Sequence, residues 1–295
     1  MKVYVSGATG FVGSHVAREL GEQGADVRDE RIDLLDTPAL EKAVAGCDAV
    51  VHVAALYSFD APAADFERVN VEGTRSLIEA ARRKGVGRFL FTSTAGTCGP
   101  VPGRLATEED KPPSWELAVP YKRTKVAAES LALAAGAVVV NPTAPIGDGD
   151  RKPTPTGRMV ANVAHGRMPG FVSTTGLNLV DVRDVARAHV LSLERGEPGE
   201  RYITGGVNLS LEDIFGAIAD LAGRRPPRLR VPYAVAQAAA KAGFLNTDEV
   251  KLARLPMYFS SEKARVRLGY TPGPVEPALA RAVAEALNAD GKGAA

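Results

Sequence analysis

Fifteen residues at the amino terminus constrain this fold more tightly than any other stretch. Lys2 to Val5 is rich in β-formers, Gly7, Gly10 and Gly13 follow at intervals of three, and Val12, Val16 and Leu20 recur with helical period. This order predicts a buried strand, a glycine turn and a helix N-terminus. Free N–H groups and the positive end of a helix dipole suit such a turn to a pyrophosphate, and so to a dinucleotide. Gly7 would allow the tight turn, Gly10 would let backbone approach phosphate, and Gly13 would let the helix pack close to the strand. Glycines also mark ordinary turns, so the weight rests on the strand before the triplet and the helix after it.

Gly24 to Val27 predicts a second strand, followed by Ile32-Asp-Leu-Leu-Asp36 and a helix opened by Thr37-Pro38. Ala49 to Ala55 is an apolar strand ending in small residues, which admit a ligand at the carboxyl end of a parallel sheet. His52 within it reads as a packed histidine. Asp65 to Lys84 has the pattern of a long helix, with Asn70 as a buried hydrogen-bonding side chain. Arg88 to Ala95 is a strand ending in Thr92, Ser93 and Thr94, and a loop rich in proline and charge then leads to Tyr121-Lys-Arg-Thr-Lys125 at the start of a helix. Tyr121 and Lys125 fall one turn apart on one helix face. An ammonium beside a phenol favours the phenolate, lowering a pKa normally near ~10 and making proton transfer usable near neutrality. A phenol packed on a lysine stem leaves the same spacing. The conjunction with the glycine turn and the hydroxyl-ended strand therefore carries the reading.

Composition narrows the function classes. At 295 residues the chain suits one large domain or two small ones, and its net charge of +1 has acids and bases interspersed, which argues against a nucleic-acid surface. Cys47 and Cys98 form no disulfide framework, no signal-peptide pattern opens the chain, and the longest apolar run, Leu131 to Val140, is too short to span a membrane. A cytoplasmic enzyme without membrane attachment is expected. His15, His52, His165 and His189 are scattered without metal-ligand spacing, so no metal is assigned, and no G-x-S-x-G elbow of a serine hydrolase is present.

Gly7-Ala-Thr-Gly-Phe-Val-Gly13, the hydroxyl strand end and Tyr-x-x-x-Lys, in this order, resemble the extended branch of the short-chain dehydrogenase/reductases, the NAD-dependent epimerase/dehydratase family. The resemblance covers nearly the whole chain. It implies an α/β fold, a Rossmann-type doubly wound parallel sheet with a smaller C-terminal substrate-binding lobe. Residues 1–149 and 179–205 would form the dinucleotide lobe, 150–178 and 206–290 the substrate lobe, and 291–295 a frayed tail. It places Thr94, Tyr121 and Lys125 as the catalytic set, with Ser93 as a substitute for Thr94. Carried-over cofactor contacts are Gly7, Gly10, Phe11, Val12 and Gly13 at the turn, and Asp33 and Leu34 at the adenine. The others are Val53, Ala54, Ala55 and Thr92, then Tyr121 and Lys125, with Pro142 and Thr143 by the nicotinamide. Ser93, Asn141 and Arg158 would meet the substrate, and Asn70 resembles the residue that braces the active-site backbone.

The segment before Asp33 is shorter than the family's. Arg28 and Arg31 could accept a 2′-phosphate, while Asp29 or Glu30 could hold a free 2′-hydroxyl; the cofactor is NAD or NADP, tilted toward NADP. Val140-Asn-Pro-Thr-Ala-Pro-Ile-Gly, Lys152-Pro-Thr-Pro-Thr-Gly-Arg and Thr175-Gly-Leu-Asn-Leu-Val look closest to hopanoid-associated sugar epimerases, themselves similar to dihydroflavonol 4-reductases. The segment Leu177 to Asp184 has Leu177 in place of the arginine that opens it in nucleotide-sugar enzymes, which weakens a nucleoside-diphosphate sugar as substrate. The resemblance implies hydride transfer between nicotinamide and a carbonyl or carbinol of a small molecule, in an epimerase or a reductase. It also implies a homodimer through helices 65–84 and 121–135. A non-catalytic dinucleotide sensor or scaffold is the alternative from another class.

Overall fold

Alternation along the first strand decides what lies on each side of the sheet. In β1 (Lys2–Ser6), Val3 and Val5 point to one face and Tyr4 to the other, as the two-residue period of a strand requires. Both faces are fully covered, which explains the near-continuous apolar run. The computed structural model describes residues 1–57 and 61–291. From residue 292 onward, the tail expected to fray lies outside the described residues.

β1 is joined by β2 (Asp26–Arg28), β3 (Ala49–His52), β4 (Arg88–Thr92), β5 (Val138–Pro142) and, after an excursion, β9 (Arg201–Thr204). The six form one parallel sheet in the order β2-β1-β3-β4-β5-β9. This is the doubly wound fold that the sequence predicts. Val16 and Leu20 of α1 (Phe11–Glu22) and Ala186 and Leu193 of α7 (Val182–Arg195) cover the face of Val3 and Val5. Residues of α2 (Thr37–Val44), α4 (Gly73–Arg83) and α5 (Pro120–Ala134) cover the other. Strand order reverses between β1 and β3, so the connections leaving them run to opposite sides and open a crevice at their carboxyl ends.

The helix expected over 65–84 is divided. α3 (Ala63–Phe66) passes into a π-helical stretch, Glu67–Glu72, before α4 begins. Such wide turns inside helices often sit at functional sites, and this one carries Asn70.

The chain leaves the large sheet after Pro142. β6 (Ala144–Ile146), β8 (Gly176–Asp181) and β10 (Val207–Ser210) make a second sheet in the order β10-β8-β6. β7 (Gly170–Val172) pairs with β11 (Leu229–Val231). α6 (Pro155–Ala164), α8 (Leu211–Leu221) and α12 (Glu276–Gly291) pack an apolar cluster against the second sheet. Ser210 caps α8 by accepting from the Asp213 N–H, as its Ser-x-x-Asp pattern predicts. α9 (Tyr233–Lys241) and α10 (Thr247–Leu252) share a small cluster of their own, and α11 (Glu262–Leu268) returns to the large sheet. Thr143 and Asn178, hydrogen-bonded at 2.9 Å, join the two sheets where the crevice opens.

Candidate active site

The glycine turn after β1 is a cradle from which side chains are excluded. Gly7 has φ +75°, and a Cβ on it would lie 2.6 Å from the Ala54 nitrogen, at the end of β3. A Cβ on Gly13 would press into the Gly7 carbonyl, 2.7 Å from its carbon. No side chain caps the first turn of α1, and no acidic residue lies in it. The turn thus presents backbone N–H groups without a competing carboxylate, which suits it to a pyrophosphate.

From this turn a cleft of about 1380 Å³ runs between the two sheets. Its walls include Gly7, Gly10, Phe11, Val12 and Gly13, then Asp33 and Leu34, then Val53, Ala54 and Ala55. Further along they include Thr92, Ser93, Thr94, Tyr121, Lys125, Pro142, Thr143 and Arg158. These come from nine separate stretches of the chain, so most of the residues expected at a site do border one cavity.

Two do not. Arg28 turns its guanidinium to the end of α2 and donates to the Ala43 and Ala45 carbonyls at 2.8 and 3.0 Å. Arg31 and Asp29 border the cleft in its stead. Asn141, expected to face substrate, is fully buried and donates to the Thr94 carbonyl at 3.1 Å, Thr97 Oγ1 at 3.0 Å and Glu129 Oε2 at 2.7 Å. It shares the α5-facing side of β5 with Val139, so it lies behind Thr94 and outside the cleft.

Thr94, just after β4, and Tyr121 and Lys125, on α5, border the same cleft. The Thr94 hydroxyl neighbours the Tyr121 phenol and accepts from the Gly96 N–H at 3.2 Å, and the Lys125 ammonium donates to the Thr92 carbonyl at 2.8 Å, lying 4.4 Å from the Phe91 ring centre. Burial pulls the lysine pKa down to about 8, partly offset by Glu129 one turn further along α5. The phenol departs from expectation. Burial, with Tyr57 adding to it, pushes the Tyr121 pKa above its ordinary value, and the neighbouring Thr94 hydroxyl opposes this only in part. Lys125 is buried and anchored on the Thr92 carbonyl, and it is not among the groups that shift the phenol. Ser93 is buried beside the set, and its hydroxyl finds no partner among the described residues.

Several groups at the site carry no signal that sequence reasoning used. Tyr57 stacks on Tyr121 with ring centres 4.4 Å apart, and Phe66 meets the same ring edge-on at 6.5 Å. Lys122 borders the cleft and forms a buried 2.7 Å ion pair with Glu116, while donating to the Gly96 carbonyl at 2.9 Å. That pair clamps the turn after Thr94 to the start of α5. Glu129 gathers Asn141, Thr97 and Arg201, each at 2.7 Å. Its spacing of four from Lys125 was the available clue.

Asn70 does brace the backbone beside the cleft. Its amide accepts from the Leu56 N–H at 2.7 Å and donates to the Leu56 carbonyl and to Thr124 Oγ1, each at 3.2 Å. His52 is packed, as expected, between Ser6 Oγ at 2.6 Å and Thr74 Oγ1 at 3.0 Å. His189 bonds Thr92 Oγ1 at 2.8 Å. Burial lowers these imidazoles from 6.5 to about 3 for His52 and about 4 for His189. Below pH 6.5 the unfolded chain binds protons that the folded state refuses. Stability contributed by each histidine is therefore whole above 6.5 and falls by about 1.4 kcal/mol per pH unit toward its folded pKa. Urea unfolding between pH 7 and 5 should show this slope, and a His52→Asn, His189→Asn double variant should flatten it. An equally steep slope in the variant would place the acid sensitivity elsewhere.

Comparison with known proteins agrees with this architecture. Residues 3–205 match the sequence model of the NAD dependent epimerase/dehydratase family. A protein of Synechocystis sp. named as a dihydroflavonol 4-reductase is 34% identical over 95% of this chain and 93% of its own. Sterol demethylase protein B of Methylococcus capsulatus is 30% identical over 96% and 98% respectively. The crystal structure of gox2253 superposes with a TM-score of 0.86 at 36% identity, covering 97% of this chain and 98% of that one. Among the described residues no helix is long and apolar enough to cross a membrane. With its doubly wound sheet, its glycine cradle and a family match spanning both, this chain belongs to the NAD-dependent epimerase/dehydratase family and is an NAD(P)-binding enzyme of the extended short-chain dehydrogenase/reductase type.

Proposed function

We propose that the protein reduces a carbonyl compound to its carbinol with NADPH, using Thr94, Tyr121 and Lys125. The observation that supports this most is the meeting of those three side chains in the same cleft as the glycine cradle. Gly7, Gly10 and Gly13 would hold the pyrophosphate, Asp33 and Leu34 the adenosine, Lys125 the nicotinamide ribose, and Pro142 and Thr143 the ring. Arg31, bordering the cleft near β2, would take a 2′-phosphate in place of Arg28. Residues 150–178 and 206–290 would hold the substrate in a cytoplasmic homodimer built on α4 and α5.

When bound, the reduced nicotinamide supplies the hydride. Thr94 Oγ1 orients the carbonyl oxygen. Tyr121, kept protonated by burial, donates its phenolic proton to that oxygen as the C–O double bond becomes a single bond, and regains a proton from solvent. One hydride and one proton are consumed, and one carbinol and one oxidised dinucleotide leave.

Dinucleotide content and turnover of the purified protein test the reading. The expected protein carries no tightly held NAD, oxidises NADPH faster than NADH and does so only when a carbonyl compound is added, and runs in light scattering at twice the chain mass. Co-purifying NAD with inversion of a sugar carbinol and no net dinucleotide consumption would replace the reductase with an epimerase. A folded, dinucleotide-binding protein inert on all carbonyls and sugars would make it a sensor.

A further inference from the structure

We infer that the substrate half of the cleft is built for a large apolar carbonyl compound, a lipid-like alicyclic or long-chain ketone, and not for a sugar; this rests on the reductase reading above. The chain has four methionines, and the three internal ones, Met159, Met168 and Met257, all border this cleft. They reach it from unrelated places. Met159 lies on α6 and Met168 between α6 and β7, whereas Met257 is held beside β8 by an N–H bond to the Gly176 carbonyl. Phe171 and Phe215 complete the wall, ring edge to ring face at 5.4 Å. Unbranched, polarisable methionine side chains adapt to bulky apolar shapes and make favourable contacts with rings.

A sugar would need the reverse, a wall of free donors and acceptors. Buried polar groups left unpaired by a ligand cost affinity. Here two polar side chains beside the apolar wall, Asn178 and Thr175, are already committed. Asn178 bonds Thr143, Gly206 and Asn208, and Thr175 Oγ1 donates to the Leu255 carbonyl at 3.2 Å. Arg158, which the resemblance implies would meet the substrate, pairs with Glu249 of α10 at 3.7 Å. Arg151 and Lys152 border the cleft only at its solvent side, exposed where the chain enters α6. The cleft's volume of about 1380 Å³ exceeds the ~300–1,000 Å³ common for one small ligand, leaving room for a second beside a dinucleotide.

A homologous series of 2-alkanones, a 3-oxosteroid and UDP-glucose, assayed with NADPH and with NAD, tests the claim on the whole chain. kcat/KM should rise roughly fourfold per added methylene until the wall is filled, and the 3-oxosteroid should be turned over while UDP-glucose is not. Melting-temperature shifts with the same ketones, in the absence of dinucleotide, should follow the same order and need no turnover. In Met159→Gln and Met168→Gln, KM for the longest ketone should rise about tenfold with that for the shortest unchanged, a loss of the size of one to two buried methylenes. A flat chain-length series with turnover of UDP-glucose overturns this inference and leaves hydride transfer standing. Absence of hydride transfer with every compound overturns the reductase reading and this inference together. The wild-type series decides the matter even if a glutamine variant fails to fold.

Discussion

Tyr121→Phe is expected to lower kcat by about 10²- to 10⁴-fold, the usual worth of a positioned acid–base group, with dinucleotide affinity changed by no more than about twofold. The substitution is narrow because the ring stays. Phenylalanine keeps the 4.4 Å stack on Tyr57 and the edge contact with Phe66, and deletes only the hydroxyl that neighbours Thr94. The glycine cradle lies on other elements and is untouched. Rapid mixing of enzyme, NADPH and a ketone would place the loss in the hydride-transfer step, since the proton must reach the oxygen as the hydride reaches carbon. Turnover within a few-fold of the wild type would remove Tyr121 from the proton's path. Because burial raises this phenol, activity should not decline on the alkaline side through its ionisation near neutrality, as a lowered phenol would require.

Gly13→Ala should weaken dinucleotide binding by at least about a hundredfold, roughly 2.7 kcal/mol. The added methyl would press into the Gly7 carbonyl, and backbone on both sides leaves no flexible atom to yield. Relief requires α1 to back away from the turn, which moves the N–H groups that would face the pyrophosphate. Gly21→Ala, at the other end of the same helix, is the control. A Cβ there meets nothing within 4 Å. That change should leave affinity unaltered and stabilise the fold by about 0.4–1 kcal/mol, because alanine restricts the unfolded chain. Isothermal titration with NADPH and a thermal melt on both variants separate a lost cradle from a lost fold. Equal affinity in the two variants would mean that the turn is not where the dinucleotide sits.

Several elements were legible because their information is local. The strand–glycine turn–helix order, the four-residue spacing of Tyr121 and Lys125 and the Ser210 cap each depend on neighbours within one or two turns, and each stands where expected. Small residues after β3 marked Val53 to Ala55 as a place where a cofactor could approach closely; they border the cleft, and Ala54 packs so near the turn that a Cβ on Gly7 would lie 2.6 Å from its nitrogen. Asn141 misled because its role was carried over by position, although strand alternation assigns it to the side of Val139 and hence to Glu129 on α5. Arg28 misled because a strand end says little about where a long side chain finds its acceptors; carbonyls at the end of α2 were nearer than the cleft.

Sequence by itself determined the glycine cradle and the placing of Tyr121 and Lys125 on one helix face, since backbone conformation and helical or strand period decide these within a few residues, while its resemblance to a family supplied the doubly wound sheet and pointed to Thr94. Only the tertiary structure decided the proton affinity of Tyr121, the withdrawal of Arg28 and Asn141 and the methionine wall of the cleft. Desolvation and packing are set by Tyr57, Glu129 and α6, which fold against those residues from distant parts of the chain, and no local pattern encodes that company.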